Sequence, residues 1–468
     1  MRQLSGKIAA MPGRPDFRLY HSNALDVLAE LLAAQLREPV PGRPLLTPDT
    51  VLIPQVAMRR WLQSTLARRH GIAANLRFLT PGEFVRDALD ANVPGASEDL
   101  DAAALQWRLY AQLSEPSTLT GRAFAPLREY LGGEDPLKPW ALSGELAGIF
   151  EKYQAWRRDW LLAWESGHEP ADAQAELWRG VASRRRRRPR RPDGYLFRFG
   201  AFGRPLPAGM PARLFAFATL NISPDVLRVI ATQARAGTLH FYVPTPSRRY
   251  WGDLPTYAQR LRDDAAAGED DNPLLAHWGG AGRDFMAVLG GYEVVHPSQE
   301  IERYADPEAL DDDAPERDTL LGRMQRDLLH RRAPRPWRNE VQRDDASVQA
   351  HACHTRLREV QVLHDRLRAL LDDPRFDPPL QAREIAVMAP DIDPYRPHIE
   401  AVFGGLGGTR DYIPYALADL SPLAGEPLAE VFIRLLALPT SRFGVSEVLD
   451  LLATPALAEA AGLDAAGL

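Results

Sequence analysis

The sequence contains one cysteine, Cys353, and no apolar run in it approaches the length of a membrane span. A single cysteine excludes a disulfide within the chain and suits a reducing compartment. The lack of a long apolar run excludes a transmembrane helix, and residues 1–15 lack the apolar stretch of a secretory signal. We therefore expect a cytoplasmic protein with no membrane partner.

The sequence also contains only three lysines, and this scarcity excludes two catalytic motifs. A Walker A loop needs a lysine that follows glycine and precedes serine or threonine, because its ammonium must reach the β- and γ-phosphates. Lys7 follows Gly6 but precedes Ile8, and neither Lys138 nor Lys152 follows a glycine. A restriction-type nuclease site needs an acid two positions before a lysine, and none of the three has one. The sequence therefore predicts neither an ATPase nor a nuclease site.

Other catalytic signatures are missing as well. There is no G-x-S-x-G elbow and no H-E-x-x-H zinc helix. His351, Cys353, His354 and His364 form the one tempting metal cluster, but on a strand His354 would point away from the first two. The alternative, which we prefer, is a small buried cysteine among ordinary polar histidines. The acidic run 311–313 is typical of a solvated loop rather than a Mg²⁺ site.

What the sequence does contain is the composition of an ordinary globular protein. Its 468 residues are enough for two or three domains, with 45% hydrophobic and 25% charged residues. The net charge of −6 conceals an uneven distribution, because arginines gather at 184–191 while acids gather at 263–271 and 306–318. Net charge therefore argues neither for nor against a nucleic-acid partner.

Strands and helices alternate along the chain, which is the pattern of parallel-sheet α/β domains. The predicted strands are 17–21, 51–53, 76–79, 212–219, 238–243, 348–353 and 384–389. The predicted helices are 24–36, 57–69, one beginning at Pro81, helical sequence at 100–180 that includes 149–165, then 357–371, one from Tyr395 and one near 428–438. We expect an N-terminal extension at 1–16, a first domain at 17–345 with a helical insertion and a loop-rich stretch at 255–345, and a truncated second domain at 346–468.

The turn Tyr20–Asn23 joins the first predicted strand to the first predicted helix. A nucleotide-binding protein places its glycine-rich phosphate loop at such a turn. This turn contains no glycine and no lysine. If the fold is that of a motor protein, its ATP site has been lost.

Seven sequence blocks in a fixed order resemble one known family. They are YHSNALDVL (20–28), GIAAN (71–75), RRDWLLAWESGH (157–168), YWGD (250–253), NPLLAHWGGAGRDF (272–285), CHTRLREVQVLHDRL (353–367) and REIAVMAPDIDPY (383–395). Together they are similar to the RecC family, the gamma subunits of exodeoxyribonuclease V in the RecBCD complex. The similarity runs from about residue 17 to the end and corresponds to the N-terminal part of these longer proteins.

The resemblance implies an inactivated superfamily 1 helicase-like fold, that is, degenerate P-loop NTPase domains with a parallel sheet and helical insertions. It implies a non-catalytic scaffold that holds RecB and RecD in a heterotrimer, helps to split double-stranded DNA, and threads one strand through a tunnel in which Chi is sensed. The activity would serve double-strand break repair by homologous recombination. No cofactor is expected in this chain, since the partner subunits would use ATP and Mg²⁺.

The resemblance also implies which residues contact DNA. In helicases of this kind, the turn after the second strand touches single-stranded backbone, which by position means Gln55 and Val56, followed by Arg59, Arg60 and Trp61. Arginines can pair with phosphates, while Gln and Trp can hydrogen-bond to bases or stack on them. The alternative for Trp61 is that it packs its helix on the sheet.

The family's strand-scanning tunnel also draws on positions that match Thr80, Arg86, Glu151 and Arg157. The sequence departs from the enteric members at Pro54, Val56 and Arg60, which puts recognition of the enteric Chi sequence in doubt because side chains there read base edges. The blocks around 250–253 and 272–285 carry no chemistry of their own, and we expect their Trp, Gly and Asn residues to fix turns and packing. The run 184–191 is open to three interpretations: phosphate binding, a solvated basic loop, or a local corruption of the sequence.

Three functions remain open from the sequence. The first is the non-catalytic DNA-channel scaffold, and the second is an active ATP-dependent helicase or nuclease, which the lysine pattern disfavours. The third is a protein-interaction fragment without function of its own.

Overall fold

The structure is a computed structural model. It describes residues 16–44, 46–92, 102–133, 135, 137–167, 172–183, 207–220, 222–256, 259, 271–290, 296–306, 319–333, 342–418 and 427–463. The chain divides into two compact units between Ser347 and Val348, and each is described by itself. Within the described residues, no helix combines the length and apolarity needed to cross a membrane.

The first unit contains a six-stranded sheet in which every pair of neighbours is parallel. Its strands are β1 Asp16–Ser22, β2 Asp49–Leu52, β3 Leu76–Leu79, β4 Arg213–Phe217, β5 Thr238–Pro244 and β6 Gln299–Glu302. Their spatial order is β3-β2-β4-β5-β1-β6. The predicted α/β class with a parallel sheet is confirmed.

Among the described residues before β4 there are eight α-helices: α1 Leu25–Leu36, α2 Val56–His70, α3 Pro81–Asn92, α4 Ala102–Leu113, α5 Ala125–Leu131, α6 Lys138–Trp156, α7 Arg158–Ser166 and α8 Ala173–Ser183. The first unit continues with α9 Pro224–Ala236, α10 Pro273–Trp278, α11 Gly280–Gly290 and α12 Leu320–Leu329. Short 3-10 helices lie at Pro116–Leu119 and Arg122–Phe124.

Alternation along the strands gives the sheet two apolar faces. On one face, α1 and α2 bury leucines such as Leu28 and Leu62 against Phe215 and Phe217 of β4. On the opposite face, α3, α9 and α11 pack against alternate residues of the same strands. Because successive strand side chains point to opposite faces, both layers are built from the same short apolar strands.

Helices α4, α6, α7 and α8 form a cluster with its own apolar core. Leu105, Leu109, Phe150 and Trp178 are buried there, and Phe150 meets Trp178 edge-on with ring centroids 5.5 Å apart. This cluster is the helical insertion expected between the third and fourth strands. The helical sequence predicted at 149–165 is confirmed, and it is divided between α6 and α7 at Arg157, whose φ of −133° and ψ of 38° are not helical.

The prediction of a loop-rich stretch at 255–345 missed four elements. Helices α10, α11 and α12 and strand β6 lie in it. Strand β6 has the sequence QEIE and is largely exposed at the edge of the sheet, so it lacks the apolar signature by which buried strands are recognised.

The second unit is helical in its described residues. Its helices are α13 Arg356–Leu371, α14 Arg396–Val402, α15 Pro427–Ala437, α16 Val445–Leu452 and α17 Pro455–Ala461, with 3-10 helices at Ala382–Glu384, Asp393–Tyr395, Gly404–Leu406 and Leu438–Thr440. A small core joins Val360, Phe403 and Ile413.

The strands predicted at 348–353 and 384–389 in the second unit are wrong. Neither segment pairs with a strand among the described residues, and Val387 and Met388 are 55% and 92% exposed. An apolar segment becomes a strand only when neighbours satisfy its backbone hydrogen bonds, and the sequence pattern alone does not supply them.

Candidate functional site

The carboxyl edge of the sheet has a topological switch point between β2 and β4, which we call the crevice. These strands are neighbours, yet the helix after β2 packs on one face of the sheet and the helix after β4 packs on the other. In open parallel sheets, ligands bind where the helices that follow adjacent strands diverge in this way. The fold itself therefore directs attention to the residues that follow Leu52 and Phe217.

Gln55 and Val56 lie at the mouth of this crevice. Gln55 caps the amino terminus of α2 with an extended backbone, and its side chain makes no capping hydrogen bond. Val56, the first residue of the helix, is 69% exposed. The first amides of a helix carry partial positive charge and lack intrahelical acceptors, so this end of α2 attracts an anion such as a phosphate.

The three residues predicted further along α2 fall into two groups. Arg59 and Arg60 are exposed, and the Arg59 guanidinium lies 5.7 Å from the centroid of the Phe78 ring. Neither arginine forms an ion pair within the described part of the chain. Trp61 instead lies half-buried on the sheet, with its ring centroid 6.2 Å from that of Phe217. Arg59 and Arg60 are thus available to a ligand, whereas Trp61 contributes mainly packing.

Thr80 lies beside this turn because β3 pairs with β2. The backbone amide of Ile53 donates to the carbonyl of Leu79 at 2.9 Å, which sets the end of β2 next to the start of α3. The Thr80 amide and hydroxyl donate to the Glu83 carboxylate at 2.7 and 2.9 Å, which lowers the pKa of Glu83. Thr80 therefore caps α3, and Arg86 lies exposed on that helix.

Glu151 and Arg157 lie apart from the sheet edge in the helical insertion. Glu151 is exposed on α6, and Arg157 is exposed at the joint between α6 and α7. The structure therefore places Gln55, Val56 and Thr80 directly after the ends of β2 and β3, with Arg59, Arg60 and Trp61 further along α2 and Arg86 on α3. Glu151 and Arg157 have no described contact with any of these residues.

The opposite wall of the crevice has two features that sequence reasoning missed. Ala218, directly after β4, has a φ of +54°, a backbone conformation that residues other than glycine rarely adopt. The Thr219 side chain is 1% exposed, and its hydroxyl has no hydrogen-bond partner among the described residues. Strained backbone and unpaired buried polar groups concentrate at functional sites. An alanine and a threonine give no sequence signal of either feature.

The turn after β1 is closed by the protein itself. β1 extends to Ser22, so the turn proper is shorter than predicted. The Asn23 amide donates to the carbonyl of Ala305 at 2.9 Å, and the amide of Ala305 donates back to Asn23 Oδ1 at 2.8 Å. The Ser22 hydroxyl accepts from the amide of Ala24 at 3.1 Å. Asp26 places a carboxylate in the first turn of α1, where it disfavours a bound phosphate.

The amino edge of the sheet carries a buried ion pair. Arg213, at the start of β4, donates to both oxygens of Asp49, at the start of β2, with distances of 2.7 and 2.8 Å. It also donates to the carbonyls of Gln35 and Glu38 at the end of α1, at 3.0 and 2.7 Å. Burial raises the pKa of Asp49, but hydrogen bonds from Arg213 and Arg43 outweigh burial and lower the pKa below its usual value.

An aromatic stack lies within the sheet layer. The Tyr20 hydroxyl and His240 Nδ1 are 3.0 Å apart, the Tyr20 and Tyr242 rings stack at 4.5 Å, and His240 stacks on Phe215 at 4.8 Å. Burial lowers the pKa of His240 to about 3 and raises the pKa of Tyr20 to about 12. Both groups are neutral at physiological pH, and the stack belongs to the core rather than to an acid–base site.

In the blocks 250–253 and 272–285, Trp251 and Asn272 fix packing and a turn as expected, whereas Trp278 is 83% exposed and does not pack in a core. Trp251 is 2% exposed in a small apolar core, and the Asn272 side chain caps α10. Asp253 and Asp271 both accept hydrogen bonds from Arg331, at 2.9 Å for Asp253 Oδ1 and 2.5 Å for Asp271 Oδ2.

No group of three metal-binding side chains occurs among the residues that the structure describes. His364 is buried, with Nε2 3.0 Å from the carbonyl of Asp411. Cys353 is partly buried, and His351 and His354 are exposed. The runs 184–191 and 311–313 lie outside the described residues.

Two family models match the chain. One, described as "RecC, N-terminal domain", matches residues 17–331, and the other, "RecBCD enzyme subunit RecC fourth domain", matches residues 425–468. This chain belongs to the RecC family. The resemblance found in the seven sequence blocks is confirmed, and the N-terminal match covers β2 to β6 and all of β1 except Asp16.

Three relatives show the extent of the likeness. RecBCD enzyme subunit RecC of Escherichia coli (strain K12) is 34% identical over 94% of this chain and 43% of the relative. RecBCD enzyme subunit RecC of Mycolicibacterium smegmatis is 30% identical over 92% of this chain and 40% of the relative. An ATP-dependent helicase/deoxyribonuclease subunit of Leuconostoc mesenteroides is 30% identical over 24% of this chain and 9% of the relative. The chain spans less than half the length of the RecC relatives.

Proposed function

We propose that this RecC-family chain is a non-catalytic, helicase-like scaffold and DNA-channel subunit of a RecBCD-type helicase/nuclease. In this role it binds RecB and RecD subunits and contacts double- and single-stranded DNA in the cytoplasm. The complex serves homologous recombination at double-strand breaks, and this chain contributes to DNA-end unwinding and Chi recognition. Its fold is a degenerate P-loop NTPase, and ATP and Mg²⁺ are used by the partner subunits.

The observation that carries the proposal is the turn between β1 and α1. In an active relative, this turn would present free amides and a lysine to the phosphates of a nucleotide. Here the Asn23 side chain and the backbone of Ala305 satisfy each other, and Asp26 adds a negative charge where phosphate would lie. The local match to a helicase/deoxyribonuclease subunit supports descent from a motor protein.

The DNA contact is supported by the open half of the same sheet edge. The amino end of α2 and the unpaired Arg59 and Arg60 place positive charge beside the exposed Gln55. Such a surface contacts the phosphates of a strand through the arginines and the helix amides. Gln55 is positioned to hydrogen-bond to base edges.

An ATPase assay separates this proposal from an active helicase. We expect the purified chain alone to show no DNA-stimulated ATP hydrolysis, because none of its three lysines has the sequence context of a Walker A lysine. We also expect it to copurify with the cognate RecB and RecD subunits, which distinguishes the scaffold from a fragment without function. DNA-stimulated hydrolysis by the chain alone would contradict the non-catalytic role.

Recognition of Chi is expected to differ from that of enteric relatives. Pro54, Val56 and Arg60 replace the uncharged polar groups expected at the second-strand turn, and base edges are read by hydrogen bonds. We expect the cognate complex to ignore the enteric octamer or to respond to another sequence. A nuclease-pausing assay of the cognate complex on DNA with the enteric octamer tests this expectation. Normal pausing at the octamer would contradict it.

A further inference from the structure

The joint between α6 and α7 exposes two tryptophans, and sequence periodicity predicts that one of them, Trp160, lies in the core. Phe150, Tyr153, Trp160 and Trp164 recur at helical spacing in the sequence, which predicts a buried stripe if the helix is continuous. The break at Arg157 shifts the helical phase. As a result, Phe150 and Trp164 are 0% and 5% exposed, whereas Trp156 and Trp160 are 43% and 46% exposed.

The exposed Trp160 ring is supported by other aromatic rings. Tyr153 meets it edge-on with centroids 5.6 Å apart, and Trp164 lies 6.5 Å away on its buried side. Tyr153 is itself anchored, because its hydroxyl donates to Gln174 Oε1 at 3.2 Å. An aromatic ring that is already ordered loses little conformational entropy when a ligand stacks on it.

Positive charge lies directly beside this ring. The Arg157 guanidinium is 5.4 Å from the Trp160 ring centroid, and its Nη1 donates to the Trp156 carbonyl at 3.4 Å. Arg157 is exposed and forms no ion pair within the described residues. An exposed indole beside an unpaired guanidinium is the arrangement by which proteins hold single-stranded nucleic acid, with a base on the ring and phosphate on the cation.

We propose that Trp160 stacks on a base of single-stranded DNA while Arg157 contacts a neighbouring phosphate. The family resemblance implied a role for Arg157 but not for Trp160. The inference rests on the proposed DNA-channel function and adds a contact point in the helical insertion, apart from the crevice at the sheet edge.

The test compares two labelled probes of equal charge: an oligothymidine of about 20 nucleotides, which spans at least one typical binding site, and an abasic oligomer of the same length. Fluorescence anisotropy with the full chain gives the affinity for each. We expect Trp160→Ala to weaken binding of the oligothymidine about 5- to 150-fold and to leave binding of the abasic oligomer unchanged. Trp160→Phe should retain most of the affinity because it keeps an aromatic face.

Trp278→Ala is the matched control, since Trp278 is 83% exposed on α10 and has no arginine over its ring among the described contacts. It should bind both probes like the unaltered chain. If Trp160→Ala binds both probes as well as the unaltered chain does, or loses the same affinity for both, the stacking assignment is wrong. The DNA-channel function would remain in place. If the unaltered chain binds neither probe, both proposals fail. If Trp160→Ala binds DNA normally but no longer copurifies with RecB and RecD, the ring belongs to a protein interface and the inference is wrong.

Discussion

At the amino edge of the sheet, Arg213 is 6% exposed and donates to a carboxylate and to carbonyls at the end of α1. At the carboxyl edge, Arg59 and Arg60 lie exposed, and no carboxylate of the described residues pairs with them. Both edges belong to the same six strands. The amino edge holds its charges in pairs that join β2, β4 and α1. The comparison separates arginines that stabilise the fold from arginines that remain available to a ligand.

The carboxyl edge itself has two halves. Above β1 and β6, the mutual hydrogen bonds of Asn23 and Ala305 close the site where a motor protein binds phosphate. Above β2 and β3, the amino end of α2 is open, and Val56 is 69% exposed. A protein that has lost ATP binding but kept DNA binding is expected to show this division.

The largest expected effect is the loss of the pair at the amino edge. Arg213→Ala leaves the buried Asp49 carboxylate with Arg43 alone and frees the carbonyls at the end of α1. We expect the free energy of unfolding to fall by about 3–5 kcal/mol, the range for breaking one side of a buried ion pair. Urea denaturation followed by circular dichroism measures it. Arg60→Ala, the control at the other edge, should change the free energy of unfolding by less than about 0.5 kcal/mol. Equal losses of stability in the two variants would contradict the difference between the two edges.

A second effect, smaller for each pH unit, is a pH dependence from the buried aromatic stack. His240 has a folded-state pKa of about 3, below the unfolded value near 6.5, so below pH 6.5 the unfolded chain binds a proton that the folded chain refuses. Stability should therefore fall by up to about 1.4 kcal/mol per pH unit as pH drops from 6.5 toward 3. Burial also lowers the pKa of His21, which adds to the same slope.

His240→Phe isolates the contribution of His240. The variant loses the hydrogen bond to Tyr20, so its stability at pH 7 should be lower, but its slope between pH 6.5 and 4.5 should be shallower than that of the unaltered chain. His21 is present in both proteins and cancels in the comparison. Urea midpoints measured across this range give both slopes, and parallel curves would show that His240 is not buried as described.

The smallest effect concerns the cap of α3. Thr80→Ala removes the hydroxyl that accepts from the Glu83 amide at 3.3 Å. We expect a loss of about 1 kcal/mol of stability, typical of an amino-terminal cap. Thr80→Ser keeps the hydroxyl and should preserve stability. A drop in DNA affinity in Thr80→Ala but not in Thr80→Ser, at unchanged stability, would assign the hydroxyl to the ligand instead of the helix.

The sequence was sufficient for the parts of the fold in which local pattern and final packing agree. Strand β3 and helices α1 and α2 were predicted to within a residue or two, because their apolar residues repeat at the period that the sheet and its covering helices bury. Strand β6 was missed because an exposed edge strand has little apolar pattern. The segment 384–389 has the pattern but has no strand partner among the described residues.

The site was only partly predictable for a related reason. The positions after β2 follow from the order of elements, so Gln55 through Trp61 could be named in advance. The packing of Trp61 on Phe217, the pairing of Arg213 with Asp49 and the closure of the turn by Ala305 join residues far apart in sequence. No local pattern specifies interactions of that kind, and they become visible only when the chain is folded.

The most direct test of the DNA assignment compares binding by two double variants of the same helix. Arg59→Ala with Arg60→Ala removes two charges at the carboxyl edge, while Arg68→Ala with Arg69→Ala removes two charges at the far end of α2. The change in net charge is the same. We predict that the first pair weakens binding of a single-stranded oligonucleotide by about tenfold or more and lowers the slope of its salt dependence by about 0.7 for each phosphate that is no longer bound. The second pair should have little effect. Equal losses from both pairs, or none from the first, would contradict the assignment of the carboxyl edge to DNA.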